Sequence, residues 1–338
     1  MFVMRYRQLT GDIEVSEVGF GNWTVTTGWW GSYTEDEAIA LHRAAFDAGV
    51  TFFDTADAYA EGYGEEVLGK ALVGVRDQIV IGTKFGYDIS DESTADRRGQ
   101  QERRKDFGLD AVRSALDASL GRLGTDRIDV WQLHNPRTAH LDDDELFAFL
   151  EDAKRAGKIG AYGVALGPKI GWLDEGVAAM TQRDVASVQM IYNILEQDPG
   201  RALLDAARAT QTSMVVRVPH SSGMLEGDLT AETVFAANDH RRHRPRSWLL
   251  EGVQKVERLR FLEEPGRTLG QAALRWVLHD ERVATTLPNI YGREQIAEFA
   301  GAGDVPDLTE SELDRVAALF IDNFGVVAEA DRTTKVNA

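Results

Sequence analysis

The chain has 338 residues, 37 of them basic and 55 acidic, which gives a formal net charge of −18 at pH 7. Hydrophobic residues form 43% of the sequence and cysteine is absent, which excludes a disordered chain, disulfides, zinc–thiolate sites, iron–sulfur clusters and cysteine nucleophiles. The acidic balance argues against nucleic acid and anionic membranes as partners, and no apolar run approaches the ~18 residues of a membrane span, so we expect a cytoplasmic protein with a small-molecule ligand.

Short β-branched or apolar segments predict eight buried strands. In chain order they are residues 18–21, 51–56, 78–84, 128–133, 159–164, 186–189, 213–217 and 283–287. The first predicted helix follows a capping-box pattern at Thr34 and Glu37 and ends before Gly49. Helical periodicity predicts further helices near residues 109–122, 142–155, 200–210, 268–279 and 292–299.

Strands that alternate with helices in this number predict an α/β fold, a single (β/α)8 TIM barrel over residues 1–338. Two long connections, 86–107 after the third strand and 220–267 after the seventh, follow strand ends and are expected at the C-terminal face, where barrels bind substrates. The second contains a basic run, 239–246, which is either a solvated loop or a phosphate-binding segment, and then a predicted helix. The polar tail 329–338 is expected to be frayed.

Polar side chains stand at or just beyond three consecutive strand ends, and we call them the strand-end tetrad: Asp54, Tyr59, Lys84 and His134. Because barrel strand ends converge on one pocket, we expect these side chains to lie together. A buried Lys84 needs an anion, which Asp54 supplies, and its cation would stabilise the phenolate of a nearby Tyr59. Tyr59 would then donate a proton near neutral pH, and His134 would orient a carbonyl oxygen. Each residue alone is compatible with a structural role, but their convergence favours a catalytic one.

The segments FFDTADAY, GYGEEVLGKAL, TKFG and SLGRLGTDRIDVWQLHNP resemble the aldo-keto reductases, including bacterial oxidoreductases related to aryl-alcohol dehydrogenases. The likeness extends from Gly19 to about Phe299. It implies NAD(P)H-dependent reduction of an aldehyde or ketone, or the reverse oxidation of an alcohol. It also implies that the strand-end tetrad is the family's catalytic tetrad, with Tyr59 as the general acid.

The same resemblance implies a cofactor site. Trp23 follows GFGN in the first loop, Gln189 matches a glutamine that binds the nicotinamide carboxamide, and Arg217 replaces an aromatic that usually stacks on nicotinamide. Matching positions imply further cofactor contacts at Pro219, Ser221, Gly223, Leu225, Asn289, Tyr291, Arg293, Gln295 and Glu298.

The chain departs from the family pattern at Ala165 and Leu166, which replace side chains that hydrogen-bond to the carboxamide. NADP(H) is favoured over NAD(H), because Arg293 or Arg241 could hold a 2′-phosphate. The substrate is expected to lie against aromatic side chains, namely Trp23, Trp30 and Tyr87.

Two other functions remain open from the residues alone. Lys84 could form a Schiff base in a lyase or aldolase, although its pairing with Asp54 disfavours this chemistry. A barrel of this kind could also be a cofactor-sensing regulatory subunit with slow turnover. The histidines include no H-x-H or H-E-x-x-H pattern, so we expect no metal.

Overall fold

Eight parallel strands form the centre of the computed structural model, which describes residues 3–90, 102–167 and 172–337. They are β3 (Phe20–Gly21), β4 (Phe52–Asp54), β5 (Val80–Phe85), β6 (Ile128–His134), β7 (Ile159–Ala165), β8 (Ser187–Ile191), β9 (Ser213–Arg217) and β10 (Val283–Leu287). Each strand pairs with its successor, and a bridge between Val18 and Thr286 joins the first to the last. The amide of Gly19 donates to the Thr286 carbonyl at 2.8 Å. The predicted (β/α)8 barrel is therefore confirmed.

Helices surround the barrel and connect its strands. In chain order they are α1 (Trp23–Thr26), α2 (Glu35–Asp47), α3 (Tyr63–Ala71), α4 (Leu109–Leu123), α5 (Thr138–Leu141), α6 (Asp144–Arg155), α7 (Leu173–Gln182), α8 (Gly200–Arg208), α9 (Arg246–Leu259), α10 (Leu269–Leu278), α11 (Arg293–Ala300) and α12 (Glu310–Ile321). The capping box predicted at Thr34 and Glu37 is present at the start of α2. Helix α7 was not among the predicted helices.

An antiparallel hairpin that the sequence pattern did not predict precedes the barrel. Its strands are β1 (Tyr6–Thr10) and β2 (Ile13–Ser16), which turn at Gly11 with a φ of +49°. Leu9 and Val15 are buried in one cluster with side chains from several barrel strands. The hairpin thus covers the end of the barrel at which the parallel strands begin.

The two long connections lie where the strands end. Part of the first, residues 91–101, lies outside the described residues, and its flanks pair through a bridge between Tyr87 and Lys105. The second contains α9 and has its own apolar cluster. A bridge between Trp30 and Asp239 joins this second connection to the loop after β3.

The C-terminal segment, where a frayed tail is expected over 329–338, contacts the rest of the chain through its last described residues. Val336 is fully buried in the cluster of the second connection. The Arg246 guanidinium donates to the Val336 carbonyl at 2.8 Å, and Lys335 forms a bridge with Pro245. Composition does not reveal these contacts, because they join the segment to side chains that are distant in the sequence.

Candidate active site

A buried ion pair lies at the centre of the strand-end tetrad. Asp54 ends β4 and Lys84 lies near the end of the neighbouring β5, so both side chains point into the same end of the barrel. Lys84 Nζ donates to Asp54 Oδ1 at 2.6 Å, to the Thr55 carbonyl at 2.6 Å and to the Tyr59 hydroxyl at 3.2 Å. Burial alone would lower the Lys84 pKa, but the charges of Asp54 and Tyr59 outweigh it and the pKa is raised. Lys84 therefore stays a cation at neutral pH.

The turn before α3 holds Tyr59 over Lys84. Residues Ala60, Glu61 and Gly62 all have positive φ angles, so the chain reverses sharply after Tyr59. A side chain at Gly64 would lie 3.1 Å from the Tyr59 Cβ, so glycine there permits this close packing. The Lys84 Nζ lies 4.9 Å from the Tyr59 ring centroid, in addition to its contact with the hydroxyl.

The second carboxylate oxygen of Asp54 is held by two amides. Gln189 Nε2 donates to Asp54 Oδ2 at 2.9 Å, and Gln132 Nε2 does so at 3.3 Å. Asp54 is thus fixed by three donors and keeps its orientation towards Lys84. The Gln189 side chain also lines the pocket described below, where its carbonyl oxygen is available to accept a hydrogen bond.

His134 is the last residue of β6, and its ring lies between two tyrosines. The ring centroid is 6.1 Å from that of Tyr59 and 4.7 Å from that of Tyr87. Burial, followed by the charges of Lys84 and Arg217, lowers the His134 pKa well below its ordinary value. His134 is therefore neutral at pH 7, and its imidazole can donate one hydrogen bond to an oxygen in the pocket.

The tetrad lies in a pocket of about 360 Å³ at the open end of the barrel. Nine of the residues predicted for the site line it, namely Trp23, Trp30, Asp54, Tyr59, Lys84, His134, Gln189, Arg217 and Asn289. Tyr87 lies behind His134, where its hydroxyl donates to Glu102 at 2.9 Å and the Asn135 amide donates to the hydroxyl. Asn135, unlike Tyr87, lines the pocket.

Arg217 is the last residue of β9, and its side chain reaches the segment that follows β7. Its Nη2 donates to the carbonyls of Leu166 and Gly167, each at 3.0 Å. Burial lowers the pKa of Arg217 from its ordinary value, yet a guanidinium remains protonated under these conditions. Among the described residues, no carboxylate forms an ion pair with it. Arg217 thus fixes the backbone at Leu166, where the chain departs from the family pattern, and at the residue after it.

The loop after β9 can bind an anion. Ser221, Ser222 and Gly223 all have positive φ angles, and the successive amides of such a turn favour anions. Arg244 Nη2 donates to the Ser222 hydroxyl at 3.1 Å, and both side chains line the pocket. The predicted residues Pro219 and Leu225 are buried on either side of this turn.

Eight residues that were predicted to contact the cofactor lie outside the pocket lining. Four of them belong to the loop after β9, namely Pro219, Ser221, Gly223 and Leu225, and the other four lie farther along the chain. Tyr291 donates to Glu226 Oε2 at 2.5 Å in an adjacent cavity of about 320 Å³, which Gly223 also lines. Glu298 accepts a hydrogen bond from the Thr268 hydroxyl at 2.5 Å, which stabilises the start of α10. Arg293 and Gln295 lie in the first turn of α11. The Arg293 side chain is exposed, and Gln295 is half-buried.

Most of the basic run 239–246 has structural partners. Arg241 pairs with Asp239 at 2.7 Å and lies over the Trp30 and Phe235 rings at 4.3 Å and 4.5 Å. Arg242 and Arg246 donate to backbone carbonyls. Within the described residues, Arg244 and His240 are the members of the run that line the pocket.

Several pocket residues were not assigned to the site from the sequence, among them Ser222, His240 and Arg244. Arg244 lay within the basic run, whose charge was the available signal. The His240 ring lies 5.5 Å from the Trp23 ring, a contact between distant segments that no sequence spacing indicates.

Within residues 3–90, 102–167 and 172–337, no group of three His, Cys, Asp or Glu side chains is arranged to hold a metal ion. No helix in the same ranges has the length and hydrophobicity needed to cross a membrane.

The chain is similar to proteins of one family. The Aldo/keto reductase family profile matches residues 17–321. Aldo-keto reductase YhdN of Bacillus subtilis (strain 168) is 31% identical over 277 residues, which cover 79% of this chain and 78% of YhdN. The NADH-specific methylglyoxal reductase of Escherichia coli (strain K12) is 27% identical over 301 residues, covering 87% of this chain and 91% of that protein. The holo form of aldo-keto reductase AKR11C1 from Bacillus halodurans has a TM-score of 0.75 and 27% identity, covering 99% of this chain and 100% of that one.

Proposed function

This chain belongs to the aldo/keto reductase family, and from that membership we propose that the strand-end tetrad catalyses its reaction, with Tyr59 as the proton donor. The chain is an oxidoreductase that uses a nicotinamide cofactor to reduce the carbonyl group of a small molecule. The observation that carries the proposed roles is the contact of the Lys84 cation with both Asp54 and the Tyr59 hydroxyl.

The tetrad is suited to move one proton. A nicotinamide cofactor, when held in this pocket, would supply a hydride for the carbonyl carbon of the substrate. As the C=O double bond gives up its electron pair to oxygen, that oxygen takes the proton of the Tyr59 hydroxyl. Lys84 stabilises the phenolate that Tyr59 becomes, because its Nζ already lies 3.2 Å from the hydroxyl oxygen. In alcohol oxidation, the phenolate takes the proton back.

Asp54 and His134 support this step in different ways. Asp54 balances the charge of Lys84 in a site where an unpaired ammonium would be costly. Neutral His134 donates a hydrogen bond to the carbonyl oxygen and so directs it towards Tyr59. Asp54 thus helps to stabilise the charge next to the proton donor, whereas His134 orients the substrate.

The residues around the pocket fit a dinucleotide. The left-handed turn at residues 221–223 and the Arg244 guanidinium offer donors for a pyrophosphate, while Gln189 offers an acceptor for a carboxamide. Trp23 supplies an apolar wall for the nicotinamide ring. The donor set therefore agrees with a nicotinamide cofactor.

We infer a preference for NADP(H) over NAD(H). Arg293 is exposed at the N-terminus of α11, has no ion pair within the described residues and can turn towards a 2′-phosphate. The alternative is NAD(H), and the name of the E. coli relative describes that protein as NADH-specific. The Glu226 carboxyl beside Tyr291 also favours NAD(H), because carboxylates accept hydrogen bonds from ribose hydroxyls.

The geometry gives no support to a Schiff-base lyase, because Lys84 is a hydrogen-bonded cation rather than a neutral amine.

A Tyr59→Phe variant tests the proposed roles. We expect its turnover of a panel of aldehydes to fall at least a hundredfold while its affinity for NADPH, followed by tryptophan quenching, stays within twofold. Equal turnover of wild type and variant would show that another group donates the proton.

A further inference from the structure

We propose that Arg217 is a substrate-binding residue that selects carbonyl compounds bearing a carboxylate. The inference rests on the proposed function, because it concerns the same pocket and the same reaction. It goes further because it assigns the substrate to the anionic carbonyl compounds and names the residue that recognises the anionic group.

The first observation is the position of the guanidinium. Arg217 enters the pocket that contains the Tyr59 hydroxyl and the His134 ring. Its charge contributes to lowering the pKa of His134, after the larger effects of burial and of the Lys84 charge. A substrate whose carbonyl oxygen meets Tyr59 and His134 therefore lies within the field of Arg217.

The second observation is that the hydrogen-bonding capacity of Arg217 is only partly used. Both of its hydrogen bonds within the described residues come from Nη2 and go to backbone carbonyls, at Leu166 and Gly167. A guanidinium also has N–H donors on Nε and Nη1. The carbonyls fix the plane of the side chain and leave these other donors for a ligand in the pocket.

The third observation is the charge balance of the pocket lining. Lys84 is neutralised by Asp54 at 2.6 Å. Glu196 lies at the other end, where its carboxylate accepts from Ser221, and Arg244 contacts the adjacent Ser222. Within the part of the chain that the structure describes, Arg217 is the one cation of the pocket lining that neither pairs with a carboxylate nor contacts the turn at residues 221–223.

A partly buried cation without a counter-ion is costly, and a bound anion repays that cost. A carboxylate is favoured among anions because it is planar and accepts charge-assisted hydrogen bonds from a guanidinium. It is also small enough to share a pocket of about 360 Å³ with a nicotinamide ring. The expected substrate is an oxo acid with its aldehyde or ketone group a few bonds from the carboxylate.

Matched pairs of substrates test this inference on the full chain with saturating NADPH. Each oxo acid, for example 4-oxobutanoate or 4-formylbenzoate, is compared with its own methyl ester, which has the same carbonyl group and no charge. We expect wild-type kcat/KM to be at least tenfold higher for the acid. In Arg217→Gln this ratio should fall at least tenfold through a higher KM for the acid, and Arg217→Lys should keep part of it.

Arg244→Gln is the matched control, because it removes the other pocket guanidinium. It should weaken NADPH binding and leave the ratio of acid to ester unchanged. A readout without turnover is the titration of wild type and Arg217→Gln, each with NADPH bound, by unreactive butanoate. We expect quenching of tryptophan emission in the wild type and none in the variant.

Several outcomes would overturn the inference while leaving the proposed function intact. One is reduction of the esters through Tyr59 without any preference for the acids. Another is an unchanged acid-to-ester ratio in Arg217→Gln together with an altered ratio of the Kd values for NADP+ and NADPH, which would assign the guanidinium to the nicotinamide ring. If neither acids nor esters are reduced and NADPH does not bind, the proposed function itself fails.

Discussion

Lys84 Nζ lies 2.6 Å from Asp54 Oδ1, and the two side chains are only 1% and 4% exposed. A pair this deeply buried stabilises the fold only while both partners are present, because either charge alone would be desolvated without compensation. The proposed catalytic lysine is therefore also a structural element, and activity and stability should depend on the pair in different ways.

Asp54→Asn is expected to lower the free energy of unfolding by about 3 kcal/mol, because it leaves the Lys84 cation unpaired. Adding Lys84→Met should restore most of that stability without restoring turnover. Urea denaturation and kcat/KM measured on both variants would check this. A single variant as stable as the wild type would mean that Lys84 is not charged in the folded protein.

Arg293→Ala should weaken NADPH binding at least tenfold, or about 1.4 kcal/mol, and leave NADH binding within twofold. Arg241→Ala is the matched control, since Arg241 is already paired with Asp239 at 2.7 Å and should affect both nucleotides alike. Titrations followed by tryptophan fluorescence give the Kd values. If NADH binds more tightly than NADPH to the wild type, the preference for NADP(H) is wrong.

Arg244→Gln should weaken the binding of both nucleotides by a similar factor, because the pyrophosphate is common to them. Its contact with Ser222 gives a second test, since Ser222→Ala removes the acceptor and the hydroxyl but no charge. We expect the serine variant to lose less affinity than the arginine variant. The loss in Arg244→Gln should shrink as the salt concentration rises.

His42 should make the fold sensitive to acid. It is fully buried in α2 against Phe20, and burial lowers its pKa to about 4 although its Nδ1 contacts the Ala38 carbonyl at 2.7 Å. Because the folded pKa lies below the unfolded value, the unfolded chain binds the extra proton between pH 6.5 and 4. The stability that His42 provides is complete above this window and is lost as the pH falls through it.

A His42→Leu variant isolates this contribution from other titrating groups. Between pH 7 and pH 5, the free energy of unfolding of the wild type should fall by about 2 kcal/mol more than that of the variant. Denaturant unfolding at the two pH values provides the comparison. An identical pH dependence in both proteins would show that His42 does not titrate between them.

The barrel could be predicted because its elements are local. Each parallel strand is a short apolar run, and helices with capping signals follow, so the alternation is visible in the sequence. The position of the tetrad follows from the same rule, since Asp54, Lys84 and His134 come from adjacent strand ends. Their chemical roles remain predictions that the kinetic experiments will test.

Other features depend on contacts between distant segments and leave no periodic pattern. The bridge between Trp30 and Asp239 joins residues more than 200 positions apart, and the contact of Arg244 with Ser222 connects two parts of one long loop. The hairpin β1–β2 was missed because its two short strands gain their burial from the barrel rather than from each other.

The burial of Val336 has a practical consequence for work with this protein. Val336 also accepts a hydrogen bond from the Arg246 guanidinium, and Lys335 pairs with Pro245, the residue next to Arg244. Removing residues 329–338, or attaching a bulky affinity tag directly after them, would disturb the packing next to Arg244, which we assign to the pyrophosphate. Recombinant protein intended for nucleotide titrations should therefore carry its tag at the N-terminus and retain residues 329–338.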